Sequence, residues 1–145
     1  MKKLFATGVL VIMVILSFGT RKEYKESTTN TIEVVEYQKS VKYTKKQLKA
    51  YAKKLVLNKY GWSLTDFNSL VKLWNKESGW NANAHNKRSG AHGIPQALPA
   101  RKMKSAGKDY YTNGKTQIRW GLKYILARYG SPLNAWNHSK KKGWY

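Results

Sequence analysis

Residues 63–79 read SLTDFNSLVKLWNKESG, and this stretch decides the fold of the chain. Ser63 followed three residues later by Asp66 forms a capping box, a pattern that begins helices. Apolar residues then recur at three- and four-residue spacing, which places them on one helical face. Gly79 ends the pattern, because glycine commonly follows a helix C-terminus. The stretch therefore predicts an amphipathic helix whose apolar face is formed by Phe67, Leu70, Val71 and Trp74.

One carboxylate lies on the apolar face of this helix. Glu77 follows Trp74 by three residues and Leu70 by seven, so the continuing helix places it beside them. Burial and the negative end of the helix dipole both raise the pKa of a carboxyl group. A raised pKa suits a general acid that keeps its proton near neutral pH. The alternative is a Glu77 side chain that turns aside to pair with Lys72 or Lys76.

Two further helices are predicted around this one. The first begins at Thr44, where a Thr-Lys-Lys-Gln capping box precedes regularly spaced apolar residues up to Gly61. The later helix ends at Gly130 and is followed by Pro132. The intervening segment, residues 79–113, is rich in Gly, Asn and Ser, and its residues 99–106 predict one short helix. The apolar face of the later helix consists of Ile118, Leu122, Ile125, Leu126 and Tyr129.

The composition restricts the chemistry that the chain can perform. Its 145 residues include 28 Lys and Arg, 7 Asp and Glu, and no Cys, for a formal net charge of +21. The absence of Cys excludes disulfide scaffolds, thiol nucleophiles and cysteine zinc sites. The three His residues lack metal-ligand spacing, so we predict no metal and no cofactor. The basic surface either attracts polyanions or is only a solvated face.

The N-terminus predicts the compartment. Lys2 and Lys3 precede an apolar run over residues 4–18, which is typical of a secretory signal. As a helix this run spans only ~22 Å, less than the ~30 Å of a bilayer core. Residues 1–19 are therefore predicted to be a signal peptide cleaved after Gly19, or an uncleaved signal-anchor. Residues 20–43 are polar and predict a flexible spacer before the folded domain at residues 44–145. Export argues against nucleic acid as the partner and favours the cell wall.

The folded domain offers few acids for catalysis. Glycosidases normally use two carboxylates ~5–9.5 Å apart. Besides Glu77, residues 44–145 contain only Asp66 and Asp109. Asp66 lies ~16 Å from Glu77 along the same helix, and Asp109 falls in the loop segment. A glycosidase built on one carboxylate must take its nucleophile from the substrate or from water.

Four stretches in order resemble the motifs of a known family. They are residues 73–84 (LWNKESGWNANA), 90–98 (GAHGIPQAL), 116–125 (TQIRWGLKYI) and 128–139 (RYGSPLNAWNHS). Together they resemble the soluble-transglycosylase, goose-type lysozyme-like domain of secreted lytic transglycosylases, in particular the short Gram-positive type. The resemblance implies a mainly α, lysozyme-like fold, with a minimal hairpin between the second and third helices as an alternative α+β form.

The resemblance also implies an activity. In that family the Glu of the Glu-Ser-Gly motif, here Glu77, is the sole catalytic acid/base. The expected reaction cleaves the β-1,4 bond between N-acetylmuramic acid and N-acetylglucosamine in peptidoglycan and leaves 1,6-anhydro ends. Hydrolysis by water at the same site remains the alternative outcome. The substrate-binding residues expected from the motifs are Ser78, Gly93, Ile94, Gln96, Tyr124, Trp136 and Asn137.

Other expectations concern neighbouring side chains and partners. His92 stands where relatives often carry Tyr, which leaves an aromatic contact in doubt. The expected partners are peptidoglycan strands and anionic cell-wall polymers, with membrane contact only if the signal segment is retained. We expect a monomer. A non-catalytic wall-binding module is the competing hypothesis, and a membrane-active protein is disfavoured because the basic residues are scattered. Packing rather than sugar binding is expected for Trp62, Trp80, Trp120 and Trp144.

Overall fold

The computed structural model describes residues 42–145 of the chain. The predicted signal segment, and all of the predicted spacer except its last two residues, lie outside the described residues. The described part is mainly helical, as predicted. Its elements are α1 (Lys45–Lys54), a π-helical segment (Leu55–Lys59), α2 (Leu64–Ser78), a 3₁₀ helix (Ala100–Ala106), α3 (Gly114–Tyr129) and α4 (Pro132–Lys142).

Both predicted capping boxes are confirmed. Thr44 Oγ1 accepts from the Gln47 amide at 3.2 Å, and the Thr44 amide donates to Gln47 Oε1 at 2.9 Å. Ser63 Oγ accepts from the Asp66 amide at 3.1 Å, and the Ser63 amide donates to Asp66 Oδ2 at 3.1 Å. These bonds satisfy amides that a helix N-terminus leaves without partners, so α1 and α2 begin where the sequence predicts.

The predicted apolar faces form one core, with an exception on α3. Leu126 was predicted to be buried but is 48% exposed. The π-helical segment extends α1 and buries Val56 against the same core. Trp80 is 1% exposed and packs edge-on against Trp74, which agrees with a packing role. The buried cluster consists of Leu48, Ala52, Val56, Leu70, Leu73, Trp74, Trp80, Ile94, Ile118, Leu122, Ile125 and Ala135.

The helix α4 was not predicted. Ser131 Oγ accepts from the Asn134 amide at 3.3 Å, and Pro132 occupies the first turn, where a missing amide costs nothing. The helix packs against α2 and is fixed to it at both ends. At the start of α2, Asp66 Oδ1 accepts from the Leu133 amide at 3.2 Å. At its end, Lys76 Nζ donates to Ser139 Oγ at 2.8 Å.

The segment between α2 and α3 carries the predicted short helix, at Ala100–Ala106, but no hairpin. Within residues 42–145 there is no β-strand, only isolated bridges that join His92 to His85 and to Ala97. Pairing stops there because the chain reverses between His92 and Ala97, with positive φ at Gly93 (76°) and Gln96 (51°). The alternative α+β form is therefore wrong for the described residues. None of their helices has the length and apolar character needed to cross a membrane.

Candidate active site

Glu77 occupies the last turn of α2, which ends at Ser78 before the left-handed Gly79. Its side chain is half-buried. Burial raises the pKa of the Glu77 carboxyl group above its ordinary value of 4.5, and the neighbouring Lys76 opposes this shift only in part. The direction is the one expected for a carboxylate that is partly removed from water at a helix C-terminus.

Lys76 does not pair with Glu77, because its ammonium group is used elsewhere. Lys76 Nζ donates to Ser139 Oγ at 2.8 Å and to the carbonyl oxygens of Ser139 and Gly143, each at 3.2 Å. No hydrogen bond from residues 42–145 to the carboxylate contributes to the Glu77 pKa. The alternative in which Glu77 turns aside to pair with Lys76 is therefore not the arrangement observed. A half-buried carboxylate without a hydrogen-bonding partner can hold a proton and exchange it with a bound molecule.

Tyr145 connects α2 to the loop between His92 and Ala97. Its hydroxyl accepts from Trp74 Nε1 at 2.8 Å and donates to the Pro95 carbonyl at 3.0 Å. Burial raises the pKa of the Tyr145 phenol well above 10.0, and the charge of the Glu77 carboxylate raises it further. Sequence analysis missed this residue, because no local pattern joins positions 71 residues apart.

Gln117 on α3 holds the loop from the other side. It is fully buried. Its Oε1 accepts from the Ile94 amide at 2.9 Å, and its Nε2 donates to the carbonyls of Ala82 and Tyr110, each at 3.0 Å. A Cβ on Gly93 would lie 2.6 Å from Gln117 Cδ and Oε1. Gly93 therefore gives close approach to Gln117, although it was expected to bind substrate.

Ser78 and Ile94 act on the loop through its backbone. Ser78 Oγ donates to the Ile94 carbonyl at 2.9 Å, which joins the end of α2 to the loop. The Ile94 side chain is 0% exposed and belongs to the core, so it cannot line a cleft. Gln96 Nε2 donates to the Gly93 carbonyl at 2.9 Å and stabilises the turn. Ser78, Gly93 and Ile94 thus position the loop beside Glu77.

A cavity of about 130 Å³ adjoins this loop, and Tyr145 forms part of its wall. The rings of Trp120 and Tyr124 stack at 5.3 Å on one side, so Trp120 is not only a packing residue. Aromatic faces beside amide groups are suited to sugar rings, which carry both apolar and hydroxyl surfaces. The residues that line the cavity are Gln96, Ala97, Leu98, Lys102, Trp120, Tyr124 and Tyr145.

Trp136 and Asn137 do not reach this cavity. Both are half-buried on α4, and the Trp136 ring packs against the core with Lys140 Nζ 5.8 Å from its centroid. Trp144 is 51% exposed, which disagrees with the expected packing role. The structure therefore brings Gln96 and Tyr124 together with Tyr145 in one cavity, which Trp136 and Asn137 do not line.

His92 is a buried structural residue. It is 3% exposed, its Nε2 lies 2.8 Å from the Tyr111 carbonyl oxygen, and its ring stacks on that of Tyr111 at 3.9 Å. Tyr111 is 49% exposed and covers the imidazole. An aromatic surface is therefore present at this position, but Tyr111 supplies it. Among residues 42–145 no three His, Asp or Glu side chains gather into a possible metal site.

The other two carboxylates of residues 42–145 are held in helix caps. Partial burial raises the pKa of Asp66, but hydrogen bonds from Ser63 and Leu133 outweigh this and lower it below 3.8. At Asp109 burial likewise raises the pKa, but hydrogen bonds from Thr116 and Asn113 outweigh this effect and lower it below 3.8. Both carboxylates are therefore ionised and accept hydrogen bonds at helix N-termini. Glu77 is the carboxylate suited to proton transfer.

A second cavity, of about 280 Å³, lies at the start of α1 and α3. It is lined by Tyr43, Trp80 and Thr112 among others, and no Asp or Glu side chain lines it. It shares no lining residue with the cavity beside Tyr145.

Comparisons with protein-family models, with curated proteins and with solved structures found no match for this chain. The fold and the site therefore have to be interpreted from their own chemistry.

Proposed function

We propose that the described domain is a peptidoglycan lytic transglycosylase with a lysozyme-like fold and Glu77 as its single acid/base. The observation that carries the proposal is the half-buried Glu77 carboxyl, whose pKa is raised by burial and whose neighbour Lys76 is bonded to α4. The substrate class comes from the motif resemblance described above.

The first step breaks the β-1,4 bond between N-acetylmuramic acid and N-acetylglucosamine. Protonated Glu77 donates its proton to the bridging oxygen, which leaves with the N-acetylglucosamine unit as a hydroxyl group. The 2-acetamido oxygen of the muramyl sugar stabilises the positive charge that develops at its C1. This step needs a carboxyl group that is still protonated near neutral pH, and the raised pKa of Glu77 supports that role.

The second step closes a ring on the same sugar. Ionised Glu77 removes the proton from the muramyl 6-hydroxyl, and O6 bonds to C1 to form the 1,6-anhydro product. Glu77 ends the cycle protonated, and no water is consumed. The route needs no second carboxylate, which agrees with the use of Asp66 and Asp109 in helix caps. With water as the attacking group instead, the same site would act as a muramidase.

The cavity beside Tyr145 supports a saccharide as the ligand. Tyr124 and Trp120 offer stacked aromatic surface, and Gln96 contributes an amide group. The link between this cavity and Glu77 is Tyr145, which lines the cavity, bonds to Trp74 one turn before Glu77 on α2, and has its pKa raised further by the Glu77 carboxylate.

The basic surface supports a role in the cell wall. Residues 44–145 carry 21 Lys and Arg against 3 acidic residues. Such a surface increases the local concentration of a polyanionic substrate and speeds association at low ionic strength. Together with the export signal predicted at residues 1–19, it supports a secreted protein that acts on the wall or on its anionic polymers.

The test is digestion of purified cell walls by wild-type protein and by Glu77→Gln. The variant keeps the size of the side chain but cannot transfer a proton, so we expect turnover to fall by at least about 100-fold. Asp109→Asn is the control, because it also removes one carboxylate but leaves Glu77 in place, and it should keep most of the activity. Mass spectrometry of the products distinguishes anhydro ends from reducing ends. Full activity in Glu77→Gln would contradict the proposal.

The competing function is a non-catalytic wall-binding module, which the excess of basic residues favours. It predicts that the protein sediments with cell walls, that salt reverses this binding, and that no soluble saccharide is released. Wild-type protein that binds walls at low salt but produces no fragments would favour this function over the transglycosylase.

A further inference from the structure

A lysine side chain lines the cavity beside Tyr145, although a neutral sugar does not require a positive charge there. Lys102 lines this cavity, and no Asp or Glu side chain of residues 42–145 does. Lys102 belongs to the 3₁₀ helix Ala100–Ala106. Lys104 lies on the same helix and is exposed to solvent. Hydroxyl and acetamido groups of sugars are satisfied by neutral donors and acceptors, so a lysine at this position points to a negatively charged group on the ligand.

The backbone that carries Lys102 is firmly anchored. Met103 is 0% exposed and fixes the 3₁₀ helix against the domain. Arg119 Nη2 donates to the Ala106 carbonyl at 3.1 Å and holds the end of the same helix against α3. Lys102 therefore projects from a fixed backbone at the edge of the cavity rather than from a free loop.

Within residues 42–145, the acidic side chains have partners other than Lys102 or lie outside the lining of its cavity. Asp66 and Asp109 accept hydrogen bonds at the N-termini of α2 and α3. Glu77 does not line the cavity that Lys102 lines. The ammonium group of Lys102 is therefore available to a charged ligand.

We infer that Lys102 selects a carboxylate-bearing saccharide over an uncharged one in this cavity, an inference that rests on the proposed function. The carboxylate can come from two sources on the muramyl unit, namely its lactyl group or the peptide attached to that group. Both place a negative charge on the same substituent of the sugar. Lys102 is then a specificity-determining residue, and the cleavage chemistry at Glu77 does not depend on it.

The experiment compares four forms of the full chain: wild type, Lys102→Met, Lys102→Arg and Lys104→Met. Lys104→Met is the matched control, because it removes one exposed charge from the same 3₁₀ helix but does not line the cavity. Three soluble substrates are used: peptide-bearing glycan strands, the same strands with their carboxylates converted to amides, and peptide-free strands with a free lactyl carboxylate. Thermal unfolding of each variant checks that the fold is kept.

For wild type, kcat/KM should be about fivefold higher on a carboxylate-bearing strand than on the amidated strand, which is the size expected for one solvent-exposed charge pair. Lys102→Met should lose this preference, because its rate on carboxylate-bearing strands falls by more than its rate on amidated strands. Lys102→Arg and Lys104→Met should retain it. A preference limited to peptide-bearing strands assigns the carboxylate to the peptide, one limited to peptide-free strands assigns it to the lactyl group, and one shown by both means that Lys102 accepts either carboxylate.

Two results would overturn the inference: a preference that survives in Lys102→Met, or an equal loss of rate on charged and amidated strands. If wild type cleaves none of the substrates, the proposed function fails, and the charge preference is measured as binding instead. Calorimetry with the same soluble strands then decides, because equal affinities of wild type and Lys102→Met for charged strands would overturn the inference as well.

Discussion

Gly93→Ala should destabilise the fold far more than its small change in volume indicates. Gly93 has φ of 76°, where an alanine costs about 1–2 kcal/mol. Its new Cβ would meet Gln117 Cδ and Oε1 at 2.6 Å and Nε2 at 2.9 Å. Gln117 would have to move, and its buried partners, the Ile94 amide and the Ala82 carbonyl, would lose hydrogen bonds worth about 1–3 kcal/mol each. We expect a total loss of about 3–8 kcal/mol in the free energy of unfolding.

The matched control is Gly143→Ala. Gly143 has φ of 85° in the left-handed region, and a Cβ there meets nothing within 4 Å. This variant should therefore lose only the backbone cost of about 1–2 kcal/mol. Urea denaturation of both variants measures the difference, which isolates the contact with Gln117. Equal losses in the two variants would refute the argument that Gln117 is the reason for a glycine at position 93.

Two further predictions concern Tyr145 and Glu77. Tyr145→Phe removes the acceptor of the Trp74 indole and the donor to the Pro95 carbonyl, and should cost about 2 kcal/mol in the free energy of unfolding; Tyr111→Phe, at a 49% exposed residue, should cost almost nothing in the same melts. The pKa of Glu77 is raised in the folded protein. The free energy of unfolding of wild type, compared with that of Glu77→Gln, should therefore fall as pH rises from 4.5 to the raised pKa. Above the raised pKa the difference between the two proteins should stay constant. The rate of cleavage should fall over the same rise in pH as the acid ionises, and a rate that increases there would contradict the assignment of Glu77 as the proton donor.

The helices were largely predictable because their signals are local. The capping residues Thr44 and Ser63 and the terminal Gly79 and Gly130 all act within a few positions of the helix ends that they define. Helix α4 was missed because few of its side chains are buried, so its apolar periodicity is weak. Ser131 followed by Pro132 was the available signal, since this pair combines an N-cap with a favoured first position.

The candidate site was only partly predictable. Periodicity placed Glu77 on the apolar face of α2, which agrees with its half-buried side chain. It did not indicate that Tyr145 bonds to Trp74, nor that Gln117 supports the loop at Gly93, because these contacts join segments that are distant in sequence. Motif positions such as Ile94 were expected to touch substrate, but burial gives them structural roles. Contacts of this kind follow from tertiary packing, which spacing along the chain does not encode.

The three hydrogen bonds that the Lys76 ammonium donates to α4 and its C-cap couple the acidity of Glu77 to the packing of α4. The charge of Lys76 opposes the effect of burial on the pKa of Glu77, so the bonds that fix the ammonium group also fix the size of this opposition. Detachment of α4, which frees the ammonium group, or acetylation of Lys76, which removes its charge, therefore changes the proton affinity at the end of α2 without touching Glu77 itself.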